Sequence, residues 1–449
     1  MAAGAALLVP LRVSPAAAAT ARAGDSPYGG LLQPNDIGIM VPNGFSVREI
    51  ARHGVVAGRS GYTWHRRPDG GATFPTDDDG WVYVSNSEVS DRGKGGAGAL
   101  RFNRDGEVVD AYSICKGTTN NCAGGPTPWG TWLSCEEIDR GQVWECDPTG
   151  ARLAVARPAL GALQHEAAAV DPDNRHIYLS EDDGDSRFYR FVSDKWPSLD
   201  QGRLEVAAVA DDGAVRWLKV PDPSGRSRRT RDQVGDSTRF RRGEGLWFER
   251  GKVYLSTTGD GRVWVYDTAA ETMQVLYDPD TFDNPPLKSP DNITASANGD
   301  VFVAEDIDES QDIVLISADG VAASFLRLTG QGGSEITGPA FDPSGTRLYF
   351  SSQKGGDGDG TTYEVTGPFR ALADAAPAGD TTTTIADRFS SVNERARQTA
   401  SRSDDDGGGL PLLPALGGLG AALAIGFGLG WRLRRSNATP PANETPDAD

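Results

Sequence analysis

Apolar residues fall in this chain as short runs of roughly four to six positions, alternating with polar residues or continuous, and long helical periodicities are missing. Six of the runs resemble one another: Trp81 to Ser85, Thr131 to Ser134, His176 to Ser180, Lys252 to Ser256, Asp300 to Ala304 and Arg347 to Ser351. Aligned on Tyr83, Trp132, Tyr178, Tyr254, Phe302 and Tyr349, they stand 49, 46, 76, 48 and 47 residues apart. Most follow a tight-turn sequence, as at Asp171 to Asn174, Asn298 to Asp300 and Asp342 to Gly345. Several lead into a further alternating strand, such as Arg187 to Val192, Arg262 to Asp267 and Asp312 to Ser317. A repeat of roughly 40 to 50 residues holding several short strands is the signature of a β-propeller. Six copies predict an all-β, six-bladed propeller over residues 36–370, and the one long interval predicts a surface excursion at about Pro197 to Thr238, basic around Arg226 to Arg231.

Outside that body the pattern changes. Residues 371–409 turn to Ala, Thr, Ser, Asp and Gly without apolar periodicity, which reads as a disordered linker. Leu410 to Trp431 is 22 residues without a charge, followed by Arg432, Arg434 and Arg435; it predicts a single transmembrane helix with residues 432–449 as a cytoplasmic tail. Residues 1–35 form a signal-like segment whose small residues at Ala17 to Ala21 resemble a cleavage site, although basic residues are missing at its start. The expectation is an exported, monomeric body tethered to the cell membrane from outside.

Charge narrows the partners. The chain carries 44 basic and 63 acidic residues, a net −19, which argues against nucleic acid or an anionic membrane surface as the main partner. Cations are the natural partners of clustered carboxylates, and the 56 glycines fit a β fold rich in turns.

Some ten to fifteen residues before each repeated run stands a short polar motif, where the innermost strand of a blade would begin. In order these are Pro68-Asp69-Gly70, Cys122-Ala123-Gly124-Gly125, His165-Glu166, Gly243-Glu244-Gly245, Pro290-Asp291-Asn292 and Ser334-Glu335. Innermost strands run the same way along a propeller channel, so Asp69, Cys122, Glu166, Glu244, Asp291 and Glu335 are expected to converge at one mouth. Asp69 is the weakest member, because a lone Asp at a turn is usually a cap. Five carboxylates without cations would repel and have raised pKa values, which bound metal ions relieve. The second strands end in acids as well, at Glu88, Glu136, Glu137, Glu181, Asp182, Asp183, Glu305 and Asp306. Of these, Glu88, Glu136 and Glu305 are taken as additional metal ligands. Carboxylates suit calcium and a thiolate suits a transition metal such as iron or zinc. Arg242, two residues before Glu244, has the fork that matches a phosphate or carboxylate. Four cysteines, Cys115, Cys122, Cys135 and Cys146, lie within 32 residues, so two disulfides are possible and Cys122 is either bridged or a thiolate ligand.

Asn121 to Glu137, NCAGGPTPWGTWLSCEE, resembles the PhoX-type alkaline phosphatases, secreted bacterial phosphomonoesterases on a six-bladed propeller. So do His165-Glu166, Ser289-Pro290-Asp291-Asn292 and Glu335-Ile336-Thr337-Gly338-Pro339. The resemblance covers nearly all of residues 36–370. It implies hydrolysis of phosphate monoesters at a centre of iron (Fe3+) and calcium (Ca2+), with Cys122, Glu166, Glu244, Asp291 and Glu335 among the ligands. Arg242 and Glu244 would be catalytic, and Asn292 and His165 would join Arg242 in binding substrate. The family's Arg-Pro-Glu stands here as Arg242-Gly243-Glu244, and the chain is shorter than typical members. Two other readings compete: a calcium-dependent propeller lactonase or esterase, and a non-catalytic, calcium-stabilised binding propeller at the cell surface.

Overall fold

The computed structural model describes residues 20–307, 311–355 and 358–371. Six antiparallel sheets follow one another along the chain, and each presents its first strand to the first strands of its two neighbours, closing a ring. These first strands are Pro68–Pro75, Asn121–Pro126, His165–Asp171, Gly243–Glu249, Pro290–Ala295 and Ile336–Phe341, in blades 1 to 6. The six repeated runs are the second strands: Trp81–Ser87, Trp132–Glu136, His176–Glu181, Lys252–Thr257, Val301–Glu305 and Arg347–Ser352. The all-β propeller is thus what the repeat predicts.

Six apolar clusters fill the spaces between successive blades. Both faces of a blade are therefore covered, and the second strands read as nearly continuous apolar runs. In blade 1, Trp81 and Tyr83 turn toward blade 6, while Val82 and Val84 turn toward blade 2. The ring closes by chain mixing: Ser46–Arg52, from the N-terminal side, is the outermost strand of blade 6 and pairs with Thr361–Thr366. The polar seal is Asp300, fully buried in blade 5, which accepts from Arg370 Nη2 at 2.7 Å and from Tyr28 Oη at 3.2 Å.

Two boundaries differ from the sequence expectation. Residues 20–35, assigned to the signal-like segment, pack onto the propeller: Arg22–Ala23 pairs parallel to Val321–Leu328, and Tyr28 meets Phe45 and Phe325 edge-on. The supposed surface excursion supplies the fourth and fifth strands of blade 3, Gly202–Val209 and Val215–Lys219, and its Arg231 is buried in ion pairs with Glu181 and Asp183. Among the described residues no helix is long and apolar enough to cross a membrane. The segments expected as linker beyond residue 371, membrane span (410–431) and tail (432–449), and residues 1–19, lie outside the described residues.

Around the axis the first strands approach backbone to backbone. A Cβ on Gly125 of blade 2 would stand 1.9 Å from the Ala168 carbonyl oxygen of blade 3, and one on Gly70 of blade 1 would stand 2.5 Å from Cα of Ala123 in blade 2. Glycine is required there for close approach. Gly125→Val is expected to abolish the soluble folded protein, whereas Gly235→Ala, where an added Cβ meets nothing within 4 Å, should leave yield and melting temperature unchanged. Soluble expression and thermal unfolding of the two variants check this.

Candidate metal centre

Strand pairing explains which side chains reach the channel mouth. In blade 1, Pro68 pairs with Ser87 but the next pair is Gly71 with Ser85, a β-bulge. The same interruption follows Asn121, His165, Gly243 and Pro290 in blades 2 to 5. The residue just after the first paired one is Asp69, Cys122, Glu166, Glu244 and Asp291, all buried. A second tier is defined by one backbone hydrogen bond per blade. Amides of Glu88, Glu137, Asp182, Thr258, Asp306 and Gln353, each one residue past its second strand, donate to the carbonyls of Arg67, Asn120, Gln164, Arg242, Ser289 and Glu335.

Two groups of ligand atoms result, each with its atoms within 4.8 Å of one another. One is Glu88, Cys122 and Glu137; the other is Glu166, Glu244 and Asp291. Cys122 Sγ donates to Glu166 Oε1 at 3.1 Å and links them. Glu166 Oε2 and Glu244 Oε1 are buried without a hydrogen-bond partner. Arg242 Nη2 is 3.2 Å from Glu244 Oε1, an ion pair without hydrogen-bond geometry. Burial, then the neighbouring carboxylates, push Asp69, Glu166, Glu244 and Asp291 well above the usual carboxylate range. Burial likewise raises the Cys122 thiol. Crowded, half-satisfied carboxylates beside a thiol fit a bound cation set, which would supply the missing positive charge.

Arg242 sits at the rim with its side chain 43% exposed. Its Nε and Nη2 each donate to Asp182 at 2.9 Å, a bidentate fork, and its backbone has φ +54°. On the opposite side, Gln353 donates to Asp69 and Glu88 at 2.7 and 2.6 Å, and Lys354 Nζ donates to Glu335 at 2.9 Å.

Several sequence assignments change place. Glu136 and Glu305 are paired with Asn121 and Pro290, one residue short of the mouth, and their carboxylates cap backbone amides of Thr119, Gln142 and Lys288 instead of joining either group. In a strand, adjacent side chains face opposite ways, so Glu137 and Asp306 stand in the mouth tier. His165 pairs with Glu181 and faces away from the channel; it is buried, its Nε2 against the Gly161 carbonyl at 3.0 Å, and burial lowers its pKa to about 4. Asn292 lines the channel but is spent internally, donating to Asp291 Oδ1 and accepting from the Gly338 amide. Glu335 stands in blade 6 where Arg242 stands in blade 4, its carbonyl accepting the Gln353 amide, because in blade 6 the first pair is Ile336 with Ser352 and Thr337 takes the inner position. All four cysteines are free thiols, so neither disulfide is present and Cys122 remains available as a ligand. Asp69, discounted as a turn residue, is an inner member; Gln353 and Lys354 gave no signal in the sequence beyond following a repeated strand.

The family model described as alkaline phosphatase PhoX matches residues 72–153 and 138–356. Comparison with curated proteins finds no match. Among solved structures, Pseudomonas fluorescens PhoX in complex with vanadate, a transition state analogue, is similar with a TM-score of 0.61 at 17% identity, covering 74% of this chain and 96% of that one. A gluconolactonase from Xanthomonas campestris is similar at TM-score 0.45 and 13% identity, over 76% of this chain and 99% of that one, a likeness too loose to bear on chemistry.

The carboxylates set a pH dependence for the metal-free protein. Burial, then Glu88 and Asp182, raise Glu137 from 4.5 to about 8, and burial with Asp306 raises Glu335 to about 7. The folded state then holds protons that the unfolded chain releases near 4.5, so these groups favour folding at low pH and that contribution is lost as pH rises through their folded values. With chelator present, the urea midpoint should fall between pH 5 and 8, and calcium should restore it at pH 8. A midpoint flat across that range would show that the mouth acids are not buried together.

Proposed function

The chain belongs to the PhoX family of alkaline phosphatases, and from that premise we propose that it hydrolyses phosphate monoesters at the acidic mouth of its channel, with calcium and ferric iron held there. The observation that carries this reading is the conjunction of two ligand groups, Glu166, Glu244 and Asp291 all buried and Cys122 buried between half-buried Glu88 and Glu137, with unpartnered oxygens on Glu166 and Glu244, and a rim guanidinium oriented beside them. The all-carboxylate group Glu166, Glu244 and Asp291 suits calcium; Glu88, Cys122 and Glu137 add the softer sulfur that iron prefers. When bound, such ions polarise the phosphoryl oxygens and offset developing charge.

The chain's own residues set the geometry. Asp182 occupies Nε and Nη2 of Arg242, which leaves Nη1 to a phosphoryl oxygen and fixes the plane of the fork. The Gly243 amide donates to Ser186 Oγ at 3.1 Å, so the strained Arg242-Gly243-Glu244 turn is held from below. Asn292 fixes the orientation of Asp291, a positioning role in place of the substrate contact expected for it. Glu244, 4% exposed, is placed to share its charge between Arg242 and a cation, so its removal affects both.

Arg242→Ala should keep its metal content and lose about 100- to 1,000-fold in kcat/KM on an aryl phosphate, the scale of removing one oriented donor. Cys122→Ser and Glu244→Ala should lose metal and turnover together. Elemental analysis beside phosphate release measures both; full metal and full activity in the latter two variants would refute the assignment.

A further inference from the structure

Arg242 has a counterpart across the channel. Arg67-Pro68-Asp69-Gly70 opens blade 1 as Arg242-Gly243-Glu244-Gly245 opens blade 4, three blades apart in a ring of six. Both arginines precede an inner-tier carboxylate by two residues, and both carry left-handed backbone, with φ +47° and +54°. Their carbonyls accept the equivalent hydrogen bonds, from the Glu88 amide at 3.0 Å and the Thr258 amide at 3.1 Å, and the same β-bulge follows each. Asn120, at the equivalent position of blade 2, shares this left-handed backbone at φ +51°, so the conformation belongs to the strand start and fixes the direction of the side chain that stands there.

The two differ in what holds them. Arg242 is tied to Asp182 and Glu244. Among the described residues, no carboxylate stands within ion-pair distance of Arg67. Its charge instead acts on Glu88 and on Lys354, a second cation whose side chain is 35% exposed. Arg242 acts on Glu137, Glu244 and Asp182. Three blades apart in a ring of six, the two arginines precede strands on opposite sides of the mouth, with the acids of the two ligand groups around the channel between them.

We propose that Arg67, supported by Lys354, forms an anion-binding subsite for the leaving group, so that the enzyme favours phosphate monoesters whose alcohol part carries its own carboxylate or phosphate. This rests on the phosphatase reading above. Phosphate at Arg242 and the ligated ions would leave the ester oxygen's substituent directed across the mouth, where a guanidinium with no carboxylate partner among the described residues, beside an ammonium, offers charge-assisted hydrogen bonds.

The test compares glycerol phosphate, whose leaving group is neutral, with phosphoglycerate, which adds a carboxylate, and glycerol bisphosphate, which adds a phosphate. Wild type should prefer the two anionic substrates in kcat/KM by about tenfold or more. Arg67→Ala should lose that preference, mainly through KM, while its rate on glycerol phosphate changes less than twofold; Arg67→Lys should keep part of it. Preference for only one anionic substrate identifies the group the subsite takes. Equal losses on all three substrates, or no preference in wild type that cleaves glycerol phosphate, would overturn the subsite. A wild type that cleaves none of the three, with metal bound, would overturn the phosphatase reading and the subsite with it.

Discussion

Six strand starts must meet around one axis while most of them carry an acid, and the rest of the molecule follows from that conflict. The approach is backbone to backbone, which is why the residues just after Asp69, Cys122 and Glu244 are Gly70, Ala123 and Gly245. Hydrogen bonds between blades then pin the inner residues from outside. Asn86 of blade 1 donates to the Cys122 and Ala123 carbonyls at 3.1 and 2.7 Å, Ser180 of blade 3 holds the Glu244 carbonyl, and Ser256 of blade 4 holds that of Asp291. Each lock satisfies a buried carbonyl and leaves the side chain directed into the mouth. Carboxylates so fixed cannot separate to relieve their repulsion, so they take up protons or cations. Any affinity of this mouth for cations would thus be a property of the packing between blades as much as of the acids themselves.

The same register divides labour along each strand pair. Where the inner strand bulges, one residue turns inward to the mouth, and the residue before it pairs with a second-strand position that faces away. Acids at those outward positions cap amides or, as with Glu181, anchor Arg231 and Tyr189. Acids one step later return to the mouth. A single-residue shift in pairing would exchange amide-capping and mouth-facing carboxylates in that blade, because strand side chains alternate.

That alternation marks the limit of what the sequence discloses. The repeat at Tyr83, Trp132, Tyr178, Tyr254, Phe302 and Tyr349 is legible because each of these positions fills an interblade or neighbouring core, and five members of the inner ring are legible because each recurs 10 to 14 residues before its repeat position. Glu136-Glu137 and Glu305-Asp306 are different: two adjacent acids carry no phase until the bulge is known, and nothing local announces a bulge. Glu335 slips by two residues for the same reason. The strand Ser46–Arg52 was not legible as part of blade 6 because its partner, Thr361–Thr366, lies some three hundred residues away. Lys354 and Gln353 follow a repeated strand but break its acidic pattern, and only the position of their side chains shows that they face Glu335 and Asp69.

The stretch with the weakest claim to function turns out to support the strongest. The sequence marks the basic insertion after residue 197 as a surface excursion, yet its Arg231 is buried between Glu181 and Asp183, with Nη2 2.7 Å from the Asp183 carboxylate. The Asp183 carbonyl in turn accepts the Arg242 amide at 3.0 Å, while Asp182 between them holds the Arg242 guanidinium. Three consecutive acids are therefore gripped by one arginine on one side and grip another on the other. Buried Glu181 would be costly without Arg231, which also holds half-buried Asp183, so the pair of contacts fixes the turn that carries Asp182. Under the proposed reading, a guanidinium fastened to such a loop would lose little freedom on meeting a phosphoryl oxygen, and its contribution to rate would come from that prior fixing rather than from its charge alone.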